Sequence, residues 1–358
     1  MALESIKSST QQKITGYPVQ WRGRILAISA LAVILLLTVI FTLGVGSTDI
    51  TFSTLLQVLS SKLSLSTVQP TWTANTETII FDIRLPRLLL AGLVGAALAV
   101  AGATYQGLFR NPLADPYLIG VAQGAALGAV IGFMLPVSWQ LGTIPFLAFA
   151  GAVSAAAMVY FIARVGKSLP ITTLILAGVA IGAFLAAITS YLMIASGDRL
   201  QGIITWLLGS FSMTGWWQVA AVTPYILAGI LVIWLYARPL NVMQLDEEQA
   251  QQLGINVEQV KLILLGAATL ITAAAVCFCG IIGFVGIIIP HAVRLTWGPD
   301  HRFLLPLAAL TGAIFLILAD AAARTMLAPT EVPIGIITAF LGAPFFLYLL
   351  RQKKRSVF

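Results

Sequence analysis

Few residues of this 358-residue chain have the type and spacing for chemistry, and most of those fail on inspection. Gly166-Lys167-Ser168 has the end of a phosphate-binding loop, in which backbone amides and a lysine cradle phosphates. That loop needs a further glycine five positions earlier, where this chain has Phe161, and a strand before it. Arg164 and Lys167 are instead expected to anchor a membrane span at the cytoplasmic surface. His291 and His301 would need carboxylates or thiolates beside them to hold a metal, and only Asp300 is near. Cys277 and Cys279 lie two apart in an apolar helical stretch, so they point to different faces and read as packing residues. No catalytic residue, no metal site and no resident cofactor are expected.

One polar block remains, residues 245–260, LDEEQAQQLGINVEQV. Asp246, Glu247, Glu248, Gln249, Gln251 and Gln252 come together, with Leu245, Leu253, Ile255, Val257 and Val260 spaced among them. The spacing predicts a short helix ended by Gly254, the usual residue where the chain turns left-handed. Asn256 then caps a second short helix. Two short helices with an apolar ridge and an acidic face suit a plug for another protein's groove; a solvated loop joining two spans is the other reading.

The surroundings of that block are a membrane. Hydrophobic residues make up 59% of the chain and charged residues 9%, too little charge for a water-soluble domain of this size. The net charge of +7 could suggest nucleic acid, but the basic residues sit in short loops between apolar runs, so no nucleic-acid partner is expected and lipid is. A crossing needs about 20 apolar residues. Runs at 26–45, 88–108, 173–194, 218–236, 303–319 and 334–350 each fit one. The first lacks a small-residue cleavage site, so it is expected to stay as a span. Residues 46–83 read as an exposed loop with an interfacial turn, and 200–217, with Trp206, Trp216 and Trp217, as interfacial. The uncharged stretch 117–163 is too long for one crossing and divides at Pro136–Pro145. Residues 262–290 divide near 280–286. The result is an all-α polytopic protein of ten transmembrane helices.

Ten spans put both termini on one side. With that side cytoplasmic, fifteen Lys/Arg lie inside and five outside (Lys62, Arg84, Arg87, Arg199, Arg324), while acids divide seven to six. Basic residues set orientation, so the 245–260 block is expected in the cytoplasm. No ionisable residue falls at mid-span, with Asp320 nearest, at the outer end of the ninth. An ion-gradient carrier commonly keeps such a residue at mid-depth, so a secondary transporter is the disfavoured alternative. A membrane-anchored structural or sensor protein would need no Gly/Ala-rich helices such as 92–101. Energy must then enter from another chain.

The stretches 82–90 (DIRLPRLLL) with 92–101 (GLVGAALAVA), 106–120 (QGLFRNPLADPYLIG), 283–302 (GFVGIIIPHAVRLTWGPDHR) and 331–350 (EVPIGIITAFLGAPFFLYLL), with the polar block, resemble the permease subunit of type II ABC importers. These FecCD-type proteins carry iron–siderophores, haem and cobalamin. The resemblance implies the ten-helix permease fold over residues 26–350, between a cytoplasmic tail at 1–25 and a basic cytoplasmic end at 351–358. It implies a homodimer or a heterodimer with a homologous permease, in a bacterial inner membrane. Two cytoplasmic ATPase subunits would hold the ATP and magnesium, and a binding protein would dock outside.

The resemblance also implies three sites. Asp246, Glu247, Glu248, Ala250, Leu253, Gly254, Ile255 and Val257 match coupling helices that enter the ATPase. Arg84, Arg87 and Arg324 match extracellular arginines that dock the binding protein's glutamates; their alternative role is to anchor span ends at the interface. Thr172 and Thr173 align with a polar pair that gates the cytoplasmic exit, although a Thr pair after Pro170 is also an ordinary helix start. The cargo implied is an iron(III)–siderophore, with haem or cobalamin as alternatives.

Overall fold

The structure is a computed structural model, and it describes residues 21–46, 48, 50–62, 72–166 and 168–355. Most of the expected N-terminal tail, residues 63–71 of the loop after the first span, Lys167 and the last three residues lie outside the described residues. The described chain is helical, without a strand. Its helices are α1 Trp21–Gly44, α2 Phe52–Lys62, α3 Ala74–Thr78, α4 Leu85–Leu108, α5 Val121–Met134, α6 Val137–Ala163, α7 Ile171–Ala195, α8 Leu200–Leu207, α9 Trp216–Leu235, α10 Ala237–Val242, α11 Glu247–Gln252, α12 Val257–Cys279, α13 Val285–Trp297, α14 His301–Thr325 and α15 Ile334–Arg355. Among the described residues, seven helical segments are long and apolar enough to cross a membrane. Val121–Met134, Val285–Trp297 and Ile334–Leu347 are shorter apolar helices, so every expected span has an apolar helix, three of them below full crossing length.

α4 is the hub. α12, α13 and α14 pack on it, and its Gly/Ala face lets α13 and α14 approach until backbones touch. A Cβ on Gly95 would overlap the Gly312 carbonyl of α14, and one on Gly102 the Gly286 carbonyl of α13. α5 and α6 form a hairpin packed in the same way.

Three boundaries differ from expectation. The described residues among 46–83 are largely helical rather than an exposed loop: α2 buries Leu55 and Val58, and α3 runs through a π-wound stretch, Ile79–Arg84, straight into α4. The wider winding sits just before Pro86, whose ring would crowd the residue-82 carbonyl in a regular turn. Pro145 lies inside α6, and the turn is confined to Leu135–Pro136. The second short helix expected after Gly254 is the first turn of the long α12, capped as expected by Asn256, whose Oδ1 accepts from the Gln259 amide at 3.2 Å.

The break between α12 and α13 falls where the length argument put it. Gly280 and Phe284 both take positive φ, 73° and 71°. A broken helix in a membrane must satisfy its backbone internally. The half-buried Tyr117 donates its hydroxyl to the Ile282 carbonyl at 3.0 Å and accepts from the Ile282 amide at 3.3 Å. The Cys279 carbonyl takes the Ser210 amide at 2.8 Å, which ties the break to the loop before α9.

Candidate functional site: the plug and the two charged ends

At one end of the helices, α11 and the start of α12 form a small projection with one exposed face and one face rooted in the chain. Asp246 caps α11 by accepting the Glu247 amide at 2.9 Å. Gly254 (φ 83°) reverses the chain, and the Ile255 amide returns to the Ala250 carbonyl at 3.1 Å. The sequence-predicted coupling residues then divide by direction. Ala250 and Val257 are fully buried and root the plug in its own chain. Ile255 is half-buried and Glu247 partly so. Leu253 is 65% exposed, and Asp246, Glu248 and Gly254 are exposed beside it with Leu245.

The acidic face is partly committed within the chain. Arg110, held at φ 48° in the turn after α4, reaches Asp246 at 3.4 Å and Glu247 at 3.8 Å. Lys261, on the second turn of α12, lies 2.9 Å from Glu247 and 3.1 Å from Glu258. Neither Arg110 nor Lys261 stands out in the sequence, yet the structure makes both partners of the plug. For Arg110 the signal was faint because Asp246 and Glu247 lie more than a hundred residues away, and for Lys261 because the Leu169 carbonyl it also holds lies 92 residues away. Thr172 and Thr173 open α7 at this same end, Thr172 exposed and Thr173 half-buried, directly after Leu169-Pro170.

A second cluster at this end is structural. Asp300 caps α14, pairs with Arg302 at 2.7 Å and Arg24 at 3.5 Å, and accepts from the Asn241 amide at 2.7 Å. Burial pushes its carboxyl up, but the Arg302 and Asn241 hydrogen bonds outweigh this and hold it at about 2. His301 Nδ1 lies 2.7 Å from Asn241 Oδ1, and among the described residues no three metal-ligating side chains gather.

At the opposite end the structure does bring the three arginines together, but it turns them inward. Arg84, Arg87 and Arg324 are 4%, 8% and 7% exposed. Arg84 donates to the Leu43 carbonyl at 2.7 Å and the Thr48 carbonyl at 2.8 Å. Arg87 grips two carboxylates, Asp320 at 2.9 Å and Glu331 at 2.8 Å. Arg324 pairs with Asp320 at 3.1 Å and donates to the Val45 carbonyl at 3.1 Å. Asp320 is buried between two guanidinium groups, and Glu331 alone of the set reaches solvent. None of the three guanidinium groups stands free on the surface.

Comparison with known proteins matches residues 34–352 to the model of the FecCD transport family. The chain belongs to that family. It is 50% identical over 280 residues (78% of this chain, 75% of the relative) to the cobalamin import system permease protein BtuC of Halobacterium salinarum. It is 41% identical over 342 residues (93% and 98%) to the hemin transport system permease protein HmuU of Yersinia pestis. It is 37% identical over 332 residues (93% and 96%) to the Fe(3+)-citrate import system permease protein YfmE of Bacillus subtilis. Among solved structures, an inward-facing metal-chelate type ABC transporter superposes with a TM-score of 0.79 at 31% identity, covering 91% of this chain and 98% of that one. The chain is therefore a multi-pass membrane permease subunit of an ABC importer rather than an enzyme, and works with an ATPase and a binding protein.

Proposed function

We propose that this permease moves a bulky metal chelate, foremost an iron(III)–siderophore, into the cytoplasm along a path between two permease copies, identical or homologous. ATP and magnesium are held by two ATPase subunits. The observation that carries this reading is the plug: a short helix rooted by Ala250 and Val257 that offers Leu245, Glu248, Leu253 and Gly254 outward. That geometry suits insertion into another chain's groove and transmits force only because its inner face is fixed. The fifteen-to-five bias of basic residues supports a plug end and both termini in the cytoplasm of a bacterial inner membrane, with all ten apolar helices crossing.

The path is proposed to run along α7 and α15. α7 buries Leu174, Ala177, Gly178, Ile181 and Leu185 on one face and exposes Leu176, Val179, Phe184 and Tyr191 on the other; α15 exposes Phe340 and Leu341. Thr172 and Thr173 at the inner end of α7 are the proposed gate. Docking of the binding protein at the outer arginines is a further proposal, and its geometry favours Arg87. An incoming carboxylate reaches Arg87 by displacing the half-exposed Glu331, whereas Arg84 is spent on backbone carbonyls and Arg324, whose unpartnered Nη2 is buried, faces a buried aspartate and a carbonyl.

A second cargo, cobalamin, is favoured by the 50% identity to a cobalamin permease. The deciding test is uptake by proteoliposomes holding permease, ATPase and binding protein, offered an iron(III)–siderophore, haem or cobalamin. ATP-dependent uptake of the siderophore alone is expected. Uptake of cobalamin alone replaces the cargo and leaves the mechanism. Uptake driven by an ion gradient without ATP overturns both.

A further inference from the structure

The plug and the proposed gate are far apart in the chain, and the side chains between them make a specific connection. Lys261 is 5% exposed at its side chain, so its ammonium has lost most of its water. An ammonium has three donors, and here each has an acceptor: Glu247 Oε2 of the plug at 2.9 Å, Glu258 Oε1 of α12 at 3.1 Å, and the Leu169 carbonyl at 3.3 Å. Glu258 uses its other oxygen to accept the Leu169 amide at 2.9 Å. Both backbone groups of Leu169 are thus held by α12, and the next residue, Pro170, leads with a restricted φ into α7 and Thr172-Thr173. Among the described residues, every hydrogen bond from α11 or α12 to the junction of α6 and α7 passes through Lys261 or Glu258. A small cavity, whose lining includes Leu108, Leu169, Ile171, Lys261 and Leu265, lies beside the first turn of α7.

We propose that Lys261 is a positioning residue that couples the two sites: with Glu258 it forms the strut through which displacement of the plug moves the start of α7. The physical basis is that a desolvated ammonium cannot give up one acceptor without leaving a buried charge short of partners. When Glu247 is pushed, Lys261 follows, and Leu169 follows Lys261. The proposal rests on the plug reading.

The test uses the full complex of permease, ATPase and binding protein in lipid nanodiscs. Spin labels at Thr172→Cys and Leu295→Cys report the distance between the start of α7 and the exposed end of α13 by pulsed electron resonance, with and without a non-hydrolysable ATP analogue. Nucleotide is expected to shift the distance distribution in the otherwise unaltered complex. Lys261→Met should remove at least half of the shifted population, and Lys261→Arg should restore the shift. Glu258→Gln serves if Lys261→Met does not fold, since it keeps the shape and removes the charge; it too should lower the shifted population. A full shift in Lys261→Met, or in Glu258→Gln where that variant replaces it, overturns the strut. The plug reading is checked separately: Leu253→Cys, in a chain with Lys261 intact, should crosslink to a cysteine in the ATPase groove. Absence of that crosslink refutes the plug and not merely the strut.

Discussion

Replacing Asp320 by Ala isolates the cost of the inward-turned arginines. Asp320 is 1% exposed and accepts from Arg87 Nε at 3.0 Å and Nη2 at 2.9 Å, with Arg324 Nε 3.1 Å from its other oxygen. The two arginines do not suffer equally when it goes. Arg87 keeps the bidentate grip of Glu331, at 2.8 and 3.0 Å, whereas Arg324 keeps only the Val45 carbonyl. Breaking a buried pair by removing one partner costs about 3–5 kcal/mol, because the other charge stays buried without compensation. The loss of Asp320 should fall in that range, with Arg324 as its source. Equilibrium unfolding of the purified permease by SDS in mixed micelles would measure it. The diagnostic comparison is Asp320→Leu with Arg324→Leu, which removes the stranded charge and fills the space; it should recover most of the lost stability. A single substitution costing under about 1 kcal/mol, or a double variant no better than the single, would refute this account of the cluster.

Three further outcomes follow from the geometry. Gly102→Ala should sharply lower the yield of folded permease, because its Cβ meets the Gly286 backbone, while Gly266→Ala, with open space around it, should not; size-exclusion profiles of the two decide this. Leu253→Asp and Glu248→Lys should abolish co-purification of the ATPase and leave the permease's own melting temperature nearly unchanged, since both side chains are exposed. Glu331→Gln should tighten binding-protein affinity several-fold in surface plasmon resonance by removing the carboxylate that competes for Arg87; unchanged affinity takes Arg87 out of the docking set.

The apolar elements were legible because a membrane leaves the chain few choices. A stretch without charge must be a helix, and its length counts the crossings, which is why the 262–290 run was divided at the right place. Helix caps were legible for the same local reason: Asn256 and Gly254 act on residues three or four positions away. Partnerships across the fold were not. Nothing local in KLILLG shows that Lys261 holds Leu169, and nothing in DIRLPR shows that Arg87 is already spoken for by Asp320 and Glu331. Exposure was misjudged along with pairing. An arginine at a span end reads as outward, yet the π-wound stretch before Pro86 carries Arg84 into the protein, where it closes the turn after α1.

The two ends of the molecule treat charge in opposite ways, and the difference bears on which end can move. At the arginine end the cations are sealed under 10% exposure against a buried aspartate and backbone carbonyls, so separating them exposes charge to a poor medium at once. That end holds α4 and α14 at fixed spacing. At the plug end the carboxylates of Asp246, Glu247 and Glu258 stay partly in water, and of their described partners only Lys261 is sealed. Half-solvated acceptors can trade a cation for water at small cost, because exposed pairs contribute about 0–1 kcal/mol. The plug can therefore rearrange its own pairs cheaply while the one buried cation keeps it attached to α12 and Leu169. In the proposed mechanism, a rigid collar at the arginine end and a compliant linkage at the plug end let an ATPase-driven displacement appear at the Thr172 end of α7 instead of dissipating through the whole bundle.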